Sequence, residues 1–267
     1  MPDAQTLWRD VQRIRADAPL IHNITNYVVM NSTANALLCL GASPVMAHAP
    51  EEVDDMVSLA GALVINIGTL SASWIESMEK AIGAASRREL PWVLDPVGAG
   101  ATSLRTQTAI RLLGNMAPAV IRGNASEIMA LHGAASITKG VESVHDTDAA
   151  LASAMALADA YHCVVSVSGE TDLVTNSRDV VRVKNGHALM PRVTGLGCTA
   201  TALTGAFLAI NPDPLEAASH AMGVMGIAGE MAMDNAVGPG TLQLHFLDAL
   251  YALTETDVRE RLRMSLS

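Results

Sequence analysis

The sequence predicts an α/β protein with a mostly parallel central sheet and a helical C-terminal part. Up to Val183, short apolar runs alternate with longer stretches of helical periodicity. Connections of that length join parallel strands in βαβ units. Beyond Gly197 the chain is rich in Ala, Met and Gly, and we expect helices to about Arg261.

Eight runs are short, apolar and bounded by turn residues, as strands covered on both faces should be. They are Pro19–His22, Pro44–Met46, Ala62–Ile67, Trp92–Leu94, Ala119–Arg122, Cys163–Val167, Leu173–Thr175 and Val180–Val183. Helical patterns lie between them, at Val28–Leu40, Glu51–Ala60, Ser71–Arg87, Leu104–Leu113, Ala125–Leu131 and Asp146–Tyr161. The segment before the first strand predicts an amphipathic helix with charges throughout.

A hairpin is predicted where the alternation ends. Val180–Val183 and Ala188–Met190 flank the sequence Lys-Asn-Gly-His, and Asn-Gly is a strong signal for a two-residue turn. No Ser/Pro-rich linker, low-complexity tract or internal repeat interrupts the sequence. We therefore expect one domain over residues 1–267.

Composition excludes several classes of protein. The chain is 50% hydrophobic with a net charge of −10, which argues against disorder and against nucleic acid as a partner. No apolar run reaches about 18 residues, so no membrane span is expected. The three cysteines, Cys39, Cys163 and Cys198, lack the spacing of a disulfide framework or zinc site. Unpaired thiols suit a reducing compartment, and we expect a cytoplasmic protein.

A glycine-rich loop before the C-terminal helices is the first candidate site. It reads VTGLGCTATA, with Gly195 and Gly197 ahead of Cys198. Glycines permit a tight turn, and the free N–H groups of the following helix bind anions such as a phosphoryl group. A thiol at a helix N-terminus is expected to have a lowered pKa. Cys198 would then accept a proton from a substrate hydroxyl; the alternatives are a nucleophile or a small buried hydrophobe.

Two charged residues end apolar strands. Asp95 precedes a Pro/Gly loop, and Arg122 precedes a predicted helix. Ligands of open α/β sheets bind beyond the carboxyl ends of strands. There, Asp95 is placed for Mg²⁺ or a phosphate-linked water, and Arg122 for planar phosphate recognition. The alternative for Asp95 is a turn former before proline.

Five further residues have both a functional and a structural explanation. Asn124 and Glu127 are spaced as a helix N-cap and capping box. Ser168 follows an apolar strand, where it would bond a phosphate oxygen or form a turn. Asn26 would orient a polar substrate or cap a helix. Met46 would line an apolar ligand pocket or join the core.

These sites together indicate phosphoryl transfer. Anion-holding glycines, an arginine, carboxylates and a proton acceptor are all predicted at one sheet edge. The sequence has no GxxxxGK[ST] motif, so a P-loop enzyme is excluded, and no GxGxxG after an early strand, which argues against a dinucleotide dehydrogenase. None of the eight histidines stands in a Cys–His signature of cysteine hydrolases.

Five blocks of this sequence resemble the bacterial hydroxyethylthiazole kinase family. They are IHNITNYVVMNSTANALLCLGASPVMAHAPEEV, LVINIGTL, WVLDPVGAGAT, VIRGNASEI and VTGLGCTATAL. The resemblance implies a ribokinase-like three-layer α/β/α fold. It also implies Mg²⁺-assisted transfer of the γ-phosphate of ATP to the alcohol of 4-methyl-5-(2-hydroxyethyl)thiazole, in thiamine salvage. A homotrimer with substrate sites between subunits is a further implication.

The resemblance also implies a role for each candidate residue. ATP and its phosphates would be bound by Arg122, Ser168, Gly197 and Asn124, and the thiazole by Met46, Gly195 and Asn26. Mg²⁺ and its waters would be organised by Asp95 and Glu127. Cys198 stands where related sugar kinases carry a catalytic Asp. Two positions depart from the family pattern. Leu196 stands between the glycines where a hydroxyl residue is more usual, and Ser168 stands where Thr is as frequent.

Three alternatives remain open from sequence. An aminohydroxymethylpyrimidine (phosphate) kinase would share the anion loop and differ in the segment from Asn23 to Met46. An ATP-dependent repair lyase for damaged nicotinamide cofactor would carry an Asp in place of Cys198. A thiazole or nucleotide sensor would need no catalytic residues, and the intact Asp95 and Arg122 argue against it.

Overall fold

The computed structural model describes residues 2–135 and 147–267, and the strands within them form one nine-stranded sheet. The strands are β1 (Leu20–Ile24), β2 (Ser43–Val45), β3 (Ala62–Asn66), β4 (Trp92–Asp95), β5 (Val120–Asn124), β6 (Val164–Ser168), β7 (Asp172–Thr175), β8 (Val180–Val183) and β9 (Met264–Leu266). Their order is β2-β1-β3-β4-β5-β6-β7-β8-β9. Pairing is parallel from β2 to β6 and antiparallel from β6 to β9.

Helices precede, separate and follow the strands. They are α1 (Ala4–Asp17), α2 (Met30–Leu40), α3 (Val53–Leu59), α4 (Ala72–Arg87), α5 (Ser103–Asn115), α6 (Ala125–Ala135), α7 (Thr147–Tyr161), α8 (Leu196–Leu208), α9 (Pro214–Met233), α10 (Pro239–Ala252) and α11 (Glu255–Arg261). Side-chain caps fix several starts: Ser71, Thr102 and Asp213 each accept a backbone N–H of the first turn. Within the described residues, no helix combines the length and apolar character needed to cross a membrane.

Two hydrophobic cores cover the two faces of the sheet. Because successive strand side chains point to opposite faces, Val64 packs with α1, α2 and α8 to α10, whereas Leu63 and Ile65 pack with α3 to α7. Every residue of β3 and β4 is buried, as expected of strands with helices on both sides. The predicted mostly parallel sheet between two helical layers is confirmed.

The eight predicted strands and the helices between them are confirmed, with ends that differ by a few residues. The helix predicted from Asp146 is confirmed from Thr147 onward, and residue 146 lies outside the described part of the chain. The C-terminal helices are also confirmed, but their continuation as β9, which pairs with β8, was not predicted.

The predicted hairpin is wrong. Beyond β8 the chain leaves the sheet, and Met190 begins a short 3-10 helix (Met190–Arg192) instead of a strand. The reason is tertiary: Asn185 Nδ2 donates to Glu230 Oε1 and to Arg261 O, at 3.0 and 2.7 Å. Its Oδ1 accepts the backbone N–H of Arg263 at 2.7 Å. Asn185 therefore joins the C-terminal helices, and β9 takes the place beside β8.

Gly205 allows α8 to lie close to the sheet. A Cβ at this position would stand 2.6 Å from Val64 Cγ2 and 3.3 Å from Ile21 Cγ2. We expect Gly205→Ala to lower the free energy of unfolding by about 1–3 kcal/mol, as overpacking a core does. Gly114→Ala is the matched control, because no atom of the described residues lies within 4 Å of its Cβ position and alanine stabilises an open helical site by about 0.5–1 kcal/mol. Urea unfolding of both variants checks this, and equal stability of the two would contradict it.

Candidate active site

Three buried polar side chains lie at or near the carboxyl ends of adjacent parallel strands, at one edge of the sheet. Asn66 ends β3 and Asp95 ends β4, with their Cα atoms in register, and Arg122 lies in β5. The side chains of Asn66 and Asp95 are almost fully buried, and Arg122 is 6% exposed. The predicted convergence of Asp95 and Arg122 at this edge is confirmed.

The glycine loop begins α8 earlier than predicted. Gly195 is the N-cap with a left-handed φ of 85°, and Thr199 N donates to Gly195 O at 2.8 Å. The expectation that both glycines precede the helix is therefore wrong, since Gly197 and Cys198 lie in its first turn. A Cβ at Gly195 would stand 2.7 Å from Val29 Cγ1, so glycine is required by both conformation and space. The first N–H groups of α8 have no partner within the helix.

Arg122 faces the first turn of α8. Its Nη1 donates to Gly197 O at 2.9 Å, and its Nε is buried and has no hydrogen-bond partner in residues 2–135 and 147–267. Among the described residues, no carboxylate forms an ion pair with this guanidinium. A Cβ at Gly197 would stand 3.0 Å from Nη1. A buried cation with an unused donor beside a helix N-terminus is suited to an anionic ligand.

A cavity of about 1050 Å³ opens at this place. Its lining includes five predicted residues, namely Arg122, Asn124, Ser168, Gly195 and Gly197. It extends past Lys184 and Asn185 toward Met222 on α9. A second cavity of about 730 Å³ shares Asn124 and Ser168 with it. The glycine loop, the carboxyl ends of β5 and β6 and the cavity therefore form one continuous site.

Asp95 is held by two donors at one oxygen. Asn66 Nδ2 and Thr201 Oγ1 each donate to its Oδ2 at 2.7 Å. Burial raises the pKa of the Asp95 carboxyl to about 6, although Arg122 and the Thr201 hydroxyl oppose that rise. Among the described residues, Oδ1 accepts no hydrogen bond from another side chain. One carboxylate oxygen is thus anchored and the other is available to the site.

Asn26 and Cys198 meet on the other side of Asn66. Asn26 Nδ2 donates to Asn66 Oδ1 at 2.8 Å and to Cys198 Sγ at 3.6 Å. The N–H of Val28 donates to Asn26 Oδ1 at 3.1 Å, which fixes the orientation of the amide. The predicted substrate residue and the predicted proton acceptor are therefore in direct contact.

The thiol of Cys198 is not the activated group that its helix position predicts. Burial and, next, the neighbouring Asp95 raise its pKa to about 11. Hydrogen bonds from Asn66 and Asn26 and the charge of Arg122 lower this pKa, but they do not overcome burial. The expected lowered pKa is wrong because the half-buried thiol lies beside a carboxylate at the same helix terminus.

Asn124 and Glu127 form the predicted capping box. Glu127 N donates to Asn124 Oδ1, and Asn124 N donates to Glu127 Oε2, both at 2.9 Å. The second carboxylate oxygen accepts Gly98 N at 2.8 Å. Glu127 therefore connects the start of α6 to the loop after β4. These bonds leave its carboxylate able to bind a metal or its waters, because the oxygens keep further lone pairs.

The remaining predicted residues have separate positions. Ser168 ends β6 and lines both cavities, with Oγ 3.5 Å from Gly123 O. Met46 follows β2, is half-buried, and lies outside the lining of the larger cavity. β2 pairs with β1, and Asn26 lies just beyond β1. The structure therefore brings nine predicted residues around the glycine loop and leaves Met46 at the edge of this group.

Sequence reasoning missed four residues of this site. Asn66 ends a run that is otherwise apolar, and Thr201 lies within a helix, so neither has a motif of its own. Arg105 donates to Val97 O at 2.7 Å and to Ile67 O and Gly68 O, at 3.0 and 2.9 Å, which fastens the loops after β3 and β4. Asp172 lines the cavity, accepts Gly169 N at 2.9 Å, and has a pKa raised to about 6 by burial.

Comparisons with known proteins decide the family. The model of the hydroxyethylthiazole kinase family matches residues 11–256. The chain belongs to this family. The hydroxyethylthiazole kinase of Nitratidesulfovibrio vulgaris (strain Miyazaki F) is 56% identical over 264 residues, which cover 99% of each chain. The solved hydroxyethylthiazole kinase structure from Pyrococcus horikoshii OT3 has a TM-score of 0.92 at 43% identity, covering 98% of this chain and 99% of that one.

The ribokinase-like fold expected for a hydroxyethylthiazole kinase family member is confirmed. A ribokinase-like superfamily protein from Enterococcus faecalis V583 has a TM-score of 0.62 at 12% identity, covering 88% of each chain. That likeness concerns the fold alone. Within the described residues, no three His, Cys, Asp or Glu side chains are grouped as metal ligands.

The raised pKa of Cys198 predicts slow alkylation of this thiol at neutral pH. A group with a pKa of about 11 is mostly the unreactive thiol below that pH. We expect the rate of iodoacetamide labelling at Cys198 to rise about tenfold per pH unit from pH 7 to pH 10. Peptide mass mapping, with Cys198→Ser as the control, measures that rate. A rate that levels off below pH 9 would contradict the burial of this thiol.

Proposed function

We propose that the chain transfers the γ-phosphoryl group of ATP to the primary alcohol of 4-methyl-5-(2-hydroxyethyl)thiazole, in thiamine salvage. Family membership supports this reaction class and substrate. The observation that carries the proposal is the position of Arg122, whose unpartnered Nε and cavity-facing guanidinium lie against the first turn of α8. A cation and free N–H groups at one point are the elements that stabilise a transferring phosphoryl group.

The phosphate side of the proposed site consists of Arg122, Gly197, Ser168 and Asn124. All four line the cavity. The α8 amides would hold the transferring phosphoryl group, and Arg122 would balance its charge. The Ser168 hydroxyl and the Asn124 carboxamide would bond phosphate oxygens. Leu196 contributes only its backbone, because its side chain cannot donate a hydrogen bond.

The alcohol side consists of Asn26, Gly195, Met46 and Cys198. The Asn26 contact with Cys198 Sγ at 3.6 Å supports placing the acceptor hydroxyl beside the thiol. With a pKa of about 11, Cys198 is a neutral group that positions the hydroxyl. A loose phosphoryl-transfer transition state requires little help from a general base. Met46 would cover the thiazole ring from the β2 side.

The residues present fit a magnesium ion. Mg²⁺ commonly uses one or two protein carboxylates together with waters and substrate phosphates, so a cluster of three protein ligands is not needed. Asp95 has one oxygen that accepts no bond from a described side chain, and Glu127 holds the adjacent loop at Gly98. We infer that these two would hold Mg²⁺ and its waters. When bound, the ion would supply positive charge to the phosphates.

The proposal extends to assembly, domain and location. We infer a homotrimer with sites between subunits; Tyr27 and Val28, directly after Asn26, are 64% and 69% exposed, which suits apolar residues that a second subunit covers. We also infer a single kinase domain over residues 1–267, since the sheet continues from β1 to β9. Cys39, Cys163 and Cys198 are free, in keeping with a cytoplasmic protein.

An activity assay tests this function. The purified protein is mixed with Mg-ATP and the hydroxyethylthiazole, and ADP release and thiazole phosphate are followed, the latter by mass. Aminohydroxymethylpyrimidine and ATP alone are the controls. We expect a product that depends on the thiazole and no product in either control. Turnover of the pyrimidine in its place would overturn the substrate, and binding without turnover of any alcohol would support a sensor.

A further inference from the structure

Asn66 lies between the two halves of the proposed site. It ends β3, whose neighbours in the sheet are β1 on one side and β4 on the other. Asn26 lies just beyond β1, and Asp95 ends β4 in register with Asn66. Its side chain is 1% exposed. The alcohol side and the phosphate side therefore approach each other across this one carboxamide.

The orientation of that carboxamide is fixed by its partners. Oδ1 accepts Gly68 N at 2.9 Å and Asn26 Nδ2 at 2.8 Å. Nδ2 donates to Asp95 Oδ2 at 2.7 Å. Because the backbone N–H of Gly68 is only a donor, the oxygen must face Gly68 and the nitrogen must face Asp95. A reversed amide would lose all three bonds.

Each end of this chain of bonds is fixed separately. Asn26 is held by Val28 N and contacts Cys198 Sγ. Asp95 Oδ2 also accepts the Thr201 hydroxyl at 2.7 Å. Thr201 and Cys198 are both on α8, so the carboxylate and the thiol are tied to one rigid helix.

We propose that Asn66 is a positioning residue for phosphoryl transfer, which fixes Asp95 relative to Asn26 and Cys198 and so aligns the acceptor alcohol with the phosphoryl group. Thr201 assists by holding the same oxygen of Asp95. This inference rests on the proposed function. Asn66 itself touches neither substrate; it acts through Asp95 and Asn26, and its effect should fall on kcat and not on binding.

Asn66→Asp is the direct test. The substitution keeps the shape and both accepted bonds, but it sets a second buried carboxyl against Asp95 Oδ2, so that the pair must share a proton in place of the fixed amide donor. We expect kcat to fall about a hundredfold, the size of effect that a small misplacement of reacting groups produces. KM for ATP and for the alcohol, and the calorimetric affinity for the alcohol without ATP, should change less than about threefold. Asn66→Ala should resemble Asn66→Asp in kcat.

Asn211→Asp is the matched control for burial. Asn211 Nδ2 donates to the buried carboxylate of Asp10 at 2.6 Å. Asn211 follows the opposite end of α8, which extends about 15 Å beyond Cys198. Asn211→Asp should lower the melting temperature as much as Asn66→Asp does and leave kcat within twofold of wild type. Equal losses of kcat in both variants would reduce Asn66 to a structural role.

Thr201 provides the second pair of variants. Thr201→Val removes one charge-assisted bond to Asp95 and should lower kcat about tenfold; Thr201→Ser keeps the hydroxyl and should restore it. This pair decides the matter if Asn66→Asp does not fold. The inference is overturned if Asn66→Asp leaves kcat unchanged, or if its loss of kcat/KM comes wholly from a higher KM for the alcohol. Wild-type activity toward the thiazole alcohol would still support the proposed function in that case. If the wild-type protein transfers phosphate to another alcohol, only the proposed substrate is wrong. The kcat of each variant relative to wild type is then measured with that alcohol.

Discussion

Replacement of Arg122 by Met is expected to lower kcat about a thousandfold, because an arginine that balances charge on a transferring phosphoryl group contributes at least that much. The structure places this guanidinium against Gly197 O, and its buried Nε has no acceptor in the part of the chain that the structure describes. The side chain thus has an unused donor at the point where the phosphate would lie.

The fold should tolerate this change. Met retains most of the volume of Arg122 and removes a buried charge that has no carboxylate partner among the described residues, and such replacements are often neutral for stability. We expect the melting temperature to stay within a few degrees of wild type. Arg122→Lys should recover only part of the activity, since an ammonium lacks the planar fork of donors.

A surface arginine is the control for this prediction. Arg111 on α5 pairs with Glu79 at the protein surface, and Arg111→Met should leave kcat unchanged. Steady-state kinetics with the thiazole alcohol and thermal melting of all three variants measure the effect. A loss below tenfold in Arg122→Met, with ATP saturating, would exclude Arg122 from the charge balance of the transition state.

Asp95→Asn is expected to abolish most activity and to stabilise the protein at neutral pH. The carboxylate is 1% exposed, and burial raises its pKa from the usual value of 3.8 to about 6. Asparagine can accept the same bonds from Asn66 and Thr201 through its oxygen. It cannot supply the negative charge that a magnesium ion requires, so we expect kcat to fall at least about a thousandfold.

The sign of the stability change follows from that pKa. A carboxyl whose folded pKa is raised binds its proton more tightly in the folded state. Wild-type stability therefore falls as pH rises from about 4 to about 6, and the cost persists above pH 6. For a shift of this size the cost is about 3 kcal/mol, and Asp95→Asn should not show it.

Metal-free unfolding of both proteins from pH 4.5 to pH 8 measures this difference. The stability of Asp95→Asn relative to wild type should grow over the window that ends near pH 6. Asp172, whose pKa is also raised to about 6, titrates in both proteins and cancels in the comparison. Parallel stability curves would show that the buried Asp95 carboxyl carries no such cost.

The positions of Asp95 and Arg122 at the carboxyl ends of strands could be predicted from sequence, because two rules are enough to place them. Wholly apolar runs mark strands covered on both faces, and the carboxyl ends of parallel strands share one edge. These two rules assign Asp95 and Arg122 to the same edge of the sheet. The capping box of Asn124 and Glu127 was also readable, because it depends on a spacing of three residues along the chain.

The remaining features depend on contacts between distant segments. Asn185 bonds to Glu230 and Arg261, which no local turn signal reveals, and so the hairpin was predicted wrongly. The pKa of Cys198 depends on burial and on the neighbouring Asp95, and a helix position alone gives the opposite sign. Asn66 acquires two of its three partners, Asn26 and Asp95, only when β1, β3 and β4 lie side by side.

The most direct test of the central claim is a crystal structure of the protein with the thiazole alcohol and a non-hydrolysable ATP analogue. We expect the terminal phosphate to lie against the N–H groups of Gly197 and Cys198 and the guanidinium of Arg122, with the alcohol oxygen beside Cys198 Sγ. That oxygen should lie about 3–3.5 Å from the terminal phosphorus, as in a reactive arrangement. A nucleotide whose phosphates lie away from Arg122 and the start of α8 would contradict it.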